Sequence, residues 1–387
     1  MPIEIVGEPN FYTLAHSKAP ERETVKTNGR TLLQKNNKRK LESETSQFHK
    51  KNKVDVEAMS PVPIQPDRTR GLSLYHAIPP EERFRLIVDE QLLIFESGCE
   101  KFESREPGCL KGGASVYSYI EETLSNENCT IESFLKPEYL KKLHEKLFSR
   151  IKIPMKSGKF KKIKVCGDYR ESKVYIRISS NYTEKGLLES EKRYKSIIPN
   201  GKDFFHVAKY KKASAASTKI IKQIRPKAED LPKYLGNGAY TVDFKPIPKE
   251  KVEESVNGLL STFREKSSDI SDIDSLVKFL AEFSTALDQI HPFENGNIRV
   301  IRGVIDSILM YYGLHPLFWD DPNKIDFYDT DSLVDEFHSQ IRKTKETLQR
   351  ISDGEPGSNS YCANPKDKEL SASAFSKSSP PTKAKSS

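Results

Sequence analysis

The sequence predicts a mostly α-helical domain with a small β element, flanked by disordered tails. Three observations carry that expectation. Several segments between about residues 81 and 312 repeat apolar side chains at helical steps. Two short segments alternate as strands do. Both ends lack apolar periodicity and are rich in polar residues.

In chain order, residues 1–70 are rich in Lys, Asn, Ser, Glu and Pro and are expected to form a disordered basic segment. Lys38 and Arg39, followed after ten residues by Lys50, Lys51 and Lys53, have the spacing of a two-part nuclear-import signal read by an import carrier. The alternative is a chance cluster in a polar tail. Residues 71–352 carry the helical patterns. Glu81–Ser97 sets Phe84, Ile87, Leu92 and Phe95 along one side. Pro137–Arg150 opens with Pro at a first helical turn and repeats Tyr139, Leu140, Leu143 and Leu147. Asp274–Ile290 carries Leu276, Leu280, Phe283, Leu287 and Ile290 on one face. Ile298–Tyr312 follows with Ile301, Val304, Ile305 and Ile308, and stops at Gly313, a common helix terminator. The strand signals are Val174–Ile178 and Tyr240–Phe244, the latter after the turn pair Asn237-Gly238. Residues 353–387 are Ser/Lys/Pro-rich and read as a second tail.

Composition agrees. Hydrophobic residues make up 36% of the 387, and counting glycine brings the apolar share to about 41%, below the ~45–50% of a globular domain. A real core diluted by polar flanks gives that deficit. No apolar run is long enough for a membrane helix, and the N-terminus lacks the basic start and apolar stretch of a signal peptide. Cys99, Cys109, Cys129, Cys166 and Cys362 are odd in number with no C-x-x-C pair, which argues against a disulfide framework or a zinc site. The expectation is a soluble protein of a reducing compartment. The net charge of +8 is uneven, with a basic excess over Lys136–Lys173. That stretch reads as a solvated face or as a surface for nucleotide phosphates or nucleic acid. No aromatic-basic stacking pattern accompanies it, so nucleic acid ranks last as a partner.

The chemistry concentrates in His291-Pro292-Phe293-Glu294-Asn295-Gly296-Asn297-Ile298-Arg299-Val300-Ile301-Arg302. Pro292 cannot continue the preceding helix, and Gly296 permits a tight turn before the next one begins near Asn297. A helix N-terminus presents free N–H groups and the positive end of a dipole, an anion site. Arg299 and Arg302, three apart, share a face of the first turns. A histidine facing such a cradle is a constellation for phosphoryl or nucleotidyl transfer. Taken singly, His291 could simply end a helix and Arg302 could pair with Asp306. A second His-Pro, at His315-Pro316, lacks the glycine and arginines and reads as packing.

The segment resembles the Fic family signature, H-P-F-x-[DE]-G-N-[GK]-R-x-x-R, at His291, Pro292, Phe293, Gly296, Asn297, Arg299 and Arg302. Gly167-Asp168-Tyr169-Arg170 and Phe244-Lys245-Pro246-Ile247-Pro248 resemble the segments on either side of that family's flap, with about 60 residues inserted between them. The resemblance covers about residues 115–350. It implies an all-α core that transfers a phosphate-containing group, usually AMP from ATP with Mg²⁺, to a Ser, Thr or Tyr hydroxyl of a protein. His291 would be the general base. Gly296, Asn297, Ile298 and the following amides would hold phosphates, as would Arg299 and Arg302, and flap residues Tyr240, Thr241, Val242, Asp243 and Phe244 would dock the target by strand addition. Two positions depart from the pattern. Asn295 stands where the family has the Asp or Glu that holds Mg²⁺, and a neutral carbonyl is a weaker ligand for a hard cation. Ile298 brings a branched side chain to the phosphate turn. Transfer of UMP, phosphate or phosphocholine, and a nucleotide- or partner-binding pseudoenzyme, are therefore alternatives to AMP transfer. Thr123 to Asn128 fits the family's inhibitory pattern [ST]-x-x-x-E-[GN], which makes Glu127 a candidate to pair with Arg302. The import-like clusters and the Ser/Lys-rich C-terminus together suggest a bacterial effector acting in host cytosol or nucleus.

Overall fold

The computed structural model describes residues 63–89, 98–154, 160–162, 166–178, 181–199, 201, 204–212, 218–235, 240–353 and 365–375. Over these residues the chain is mostly helical with a small antiparallel sheet, as the sequence predicts. The import-like cluster from Lys38 to Lys53, the turn pair Asn237-Gly238 and Cys362 lie outside them.

Helix α1 (Arg68–His76) is capped by the Asp67 carboxylate, which accepts from the Arg70 N–H. The folded part thus starts slightly before residue 71, and Ile64 is already tied to it by a bond from its N–H to Ser271 O. A 3-10 turn at Pro80–Leu86 precedes α2 (Gly98–Arg105), α3 (Cys109–Ser125) and α4 (Pro137–Phe148). The expected helix Glu81–Ser97 is corrected over its first half. Pro79-Pro80 lead the chain into three-residue turns, and Phe84 and Ile87, three apart, are buried by that geometry as well as by an α-helix. Residues 90–97 are outside the described residues.

Strands β1 (Lys152–Pro154) and β2 (Phe160–Lys162) form a small pair. Beyond them come β3 (Ile176–Ile178), α5 (Glu184–Ile197), β4 (Phe205–Lys212), β5 (Thr218–Ile224) and β6 (Tyr240–Phe244). The sheet order is β3-β6-β4-β5, antiparallel throughout. This corrects the flap. β6 is an interior strand, with Phe244 opposite Ile176 on one side and Phe205 on the other. Its hydrogen-bonding groups are already used on both sides over Val242–Phe244, so that part of Tyr240–Phe244 is not a free edge for a docked chain; the edges are β3 and β5. The segment inserted after β3 supplies the strand that covers β6.

The core is organised around two helices. In α7 (Ile273–Ile290), Asp272 and Ser275 form a capping box at the start. Helix α8 (Asn297–Tyr311) is buried on nearly every face, packed against α1, α3, α4 and α7. Even its Asp306 is enclosed, accepting from the Tyr117 hydroxyl and from Leu317 N–H at 2.9 Å. Two further helices, α9 (Lys324–Phe327) and α10 (Thr330–Ser352), pack on α7. The expected C-terminal tail is also corrected, because residues 365–375 form α11 (Pro365–Phe375) on the 3-10 turn. Ser371, fully buried, donates to Pro80 O at 2.6 Å and accepts from Phe84 N–H at 3.1 Å, and Phe375 is buried beside them. Its contact stripe of Ser371, Ala374 and Phe375 is too small and polar to register as amphipathic in the sequence. Among the described residues no helix is long and apolar enough to cross a membrane.

Candidate active site

The 291–302 segment joins α7 to α8, and its bend is made by two left-handed residues. His291 ends α7 at φ 50° and ψ 64°, the one non-glycine positive φ among the described residues. Gly296 precedes α8 at φ 73°. A Cβ at Gly296 would meet Phe148 Cε2 at 2.3 Å, so the turn needs glycine twice over, for its conformation and for its closeness to α4. Between them Phe293 is fully buried, stacked on the His144 ring at 4.1 Å between centroids. Asn297 Nδ2 donates to Phe293 O and Asn297 Oδ1 accepts from Phe293 N–H, both at 2.8 Å. The Asn297 side chain is thus a staple inside the loop, and only its backbone N–H remains for an anion. Ile298 packs its side chain partly against the core. Its N–H lies in the first turn of α8, among the groups that have no acceptor within the helix.

At the histidine end, His291 Nδ1 lies 3.7 Å from Asp288 Oδ1, and Asp288 is 1% exposed. No N–H or alcohol among the described residues donates to either Asp288 oxygen. Against it stands Asp326 of α9. Burial first, and then the charges of Asp288 and Asp321, push the Asp326 carboxyl well above the usual carboxylate range. Buried Asp288 and half-buried Asp326 thus face each other as a carboxylate pair, in which Asp326 keeps its proton to higher pH than an ordinary carboxylate.

At the other end both arginines are met by acids. Arg299 pairs with Glu106 at 2.7 Å and lies over the Phe148 ring. Arg302 pairs with Asp89 at 2.8 Å and donates to Leu86 O at 3.1 Å and Ile87 O at 3.3 Å. Asp89 and Arg302 are both nearly inaccessible; burial pushes the Asp89 carboxyl up to about 6, with the Arg302 charge opposing that rise. Glu127 does not take this place. It sits exposed in the turn after α3, where Arg68 Nη2 donates to its backbone carbonyl at 3.4 Å. The contact expected of Glu127 is made by Asp89, which the 3-10 turn delivers from a different part of the chain.

Asn295 is exposed and brings no carboxylate to the loop, and among the described residues no group of three His, Cys, Asp or Glu side chains could hold a metal. The donor set does not fit a protein-held Mg²⁺. The structure thus brings together His291, Gly296 and the backbone of Asn297 and Ile298, with Arg299 and Arg302 on the following turns. It leaves Glu127 and the β6 residues out. Sequence reasoning missed Asp288, Asp326, Asp89 and Glu106. A signal existed for Asp288, a charged residue inside the most apolar helical pattern of the chain, one turn before His291.

Among known proteins the chain is similar to the phosphocholine transferase AnkX of Legionella pneumophila, with 23% identity over 289 residues. That alignment covers 72% of this chain and 30% of the relative, so the chain spans less than a third of that protein's length. No family model matches the chain.

Proposed function

We propose that the chain is a Fic-type transferase that moves phosphocholine from a nucleoside diphosphate–choline donor to a Ser, Thr or Tyr hydroxyl of a target protein. The observation that carries this reading is the Asp288–Asp326 pair beside His291. A buried carboxylate that no donor satisfies, with a second carboxylate against it, is a ready counter-charge for a quaternary ammonium, which needs negative charge and offers no hydrogen bond in return. The similarity to a phosphocholine transferase supports the same choice.

In the reaction, His291 takes the proton of the target hydroxyl. The hydroxyl oxygen forms a bond to the phosphorus that bears choline, and the bond from that phosphorus to the bridging oxygen breaks. The nucleoside monophosphate leaves with the bonding pair. Amides of Gly296, Asn297 and Ile298 at the α8 N-terminus hold the phosphates as charge moves onto the leaving oxygen. Arg299 and Arg302, shared with Glu106 and Asp89, offer less free positive charge than a triphosphate demands. No step requires a protein-held metal.

The second reading is AMP transfer from ATP with Mg²⁺, favoured by the His-Pro-Phe, Gly-Asn and two-arginine pattern itself. One experiment separates them. Purified protein is incubated with a eukaryotic lysate and either CDP-choline or ATP with Mg²⁺, and target peptides are weighed by mass spectrometry. The expected result is a phosphocholine increment from CDP-choline that is lost by a factor of about 10² or more in His291→Ala. An AMP increment instead selects the second reading, and nucleotide binding without any increment leaves a pseudoenzyme.

A further inference from the structure

Arg170 is 5% exposed, and no carboxylate pairs with it among the described residues; its donors go to backbone carbonyls instead. Its Nε donates to His291 O at 2.7 Å. Its Nη2 donates to Ile247 O and, at 3.5 Å, to Ile290 O, and its Nη1 donates to Ser172 O at 3.1 Å. Its backbone N–H donates to Pro292 O at 2.8 Å. One residue therefore caps the carbonyls of three consecutive residues, 290 to 292, across the bend where His291 is left-handed.

That bend needs such a partner. The last carbonyls of a helix have no donor within the helix, and here Pro292 cannot supply an N–H for any capping bond of its own. A left-handed conformation is unfavourable for a residue with a Cβ, and it persists only where surrounding contacts enforce it. His291 N–H still bonds back to Leu287 O at 3.1 Å, so α7 holds the residue on one side and Arg170 on the other. A planar guanidinium reaches several carbonyls at fixed angles, which an ammonium cannot do. Burial lowers the Arg170 pKa only to about 10, so the charge that strengthens these bonds is present at neutral pH.

We infer that Arg170 is a positioning residue that holds His291 in its left-handed backbone conformation and so sets the imidazole against Asp288 and the α8 amides. The inference rests on the reading of His291 as the base of the transfer. It differs from a purely structural role in what it moves: the geometry of one histidine, with the phosphate cradle left in place.

The test uses the full chain with Arg170→Ala and Arg170→Lys, and Phe263→Leu in the α6 helix (Val252–Lys266), packed on Phe279 and Phe283 of α7, as a destabilised control. With CDP-choline and a target protein, kcat in both arginine variants is expected to fall about 10²-fold, as for a misplaced catalytic group. CDP-choline affinity should stay within about threefold, and methylguanidinium, but not methylammonium, should restore part of the Arg170→Ala rate. An unchanged kcat, or a loss that matches Phe263→Leu at equal melting temperature and is not rescued, overturns the inference. A readout independent of any donor is the pair of His291 Cα and Cβ chemical shifts, which report left-handed backbone. These should move toward ordinary values in Arg170→Lys, and unchanged shifts overturn the inference even if activity falls. If the wild type transfers nothing but the shifts do move, the positioning role stands and the transfer reading fails.

Discussion

The two ends of the 291–302 segment are built on opposite plans. At the His291 end, Arg170 caps the backbone carbonyls of residues 290 to 292, while the carboxylates of Asp288 and Asp326 face each other and lack a lysine or arginine partner among the described residues. At the arginine end, every charge already has its mate: Glu106 on Arg299, and Asp89 with two carbonyls on Arg302. Negative charge is spare at one end and positive charge is spent at the other. A donor with a cationic head and a diphosphate matches that distribution better than a triphosphate does, because a buried charge gains most where its partner is otherwise uncompensated.

The comparison breaks if the spare charge is not used, and the largest test is Asp288→Asn. Neutralising that carboxylate should raise KM for CDP-choline by about 10²-fold, near 2.7 kcal/mol, the worth of a charged interaction in a dry site. Binding of ATP should hardly change. Equal losses for both nucleotides, in paired titrations, would mean that Asp288 supports the loop and not a cation.

A second, smaller effect is expected in pH dependence. Asp326 has its carboxyl raised, so the free protein keeps a proton there at pH values where an ordinary carboxylate has lost it. A bound cation favours the ionised form and expels the proton. Affinity for CDP-choline should therefore climb with pH up to the raised value, by at most about tenfold per unit, and level off above it. CDP-glycerol, which carries no cation, should show no such climb in calorimetry across the same buffers.

The arginine end is sharpened by Asp89→Asn, for which the smallest change is expected. Freeing Arg302 should tighten pyrophosphate binding about fivefold, near 1 kcal/mol, and Arg302→Ala should cancel the gain. The same variant should lower the melting temperature, since an unpaired buried guanidinium is costly. Tighter binding that survives Arg302→Ala would show that Asp89 does not mask this arginine.

Much of this architecture is legible in the amino-acid sequence alone. The α4, α7 and α8 helices and the β6 strand fall within a residue or two of their expected bounds, because each carries a dense apolar period and a Pro, Asp or Gly at its end. The loop between α7 and α8 is legible too, since Pro292 and Gly296 leave the backbone few choices. Helix α11 is not, because its buried stripe is two small residues and one Phe. The order of the sheet is not, because strand periodicity says which face is buried and nothing about which strand lies alongside. Glu127 is favoured by a short local pattern, and Asp89, with no pattern at all, holds the arginine.

What the sequence by itself determined is the local chemistry: a histidine at a forced helix end, a glycine turn, and a following helix N-terminus with two arginines on one face. These depend on backbone geometry within a dozen residues, and covalent stereochemistry settles them. Only the tertiary structure decided which charges meet those groups. Asp326, Asp89, Glu106 and Arg170 arrive from segments tens to hundreds of residues away. Their pairing depends on how the helices pack and on how much water that packing removes, and neither quantity is written in any local stretch of the chain.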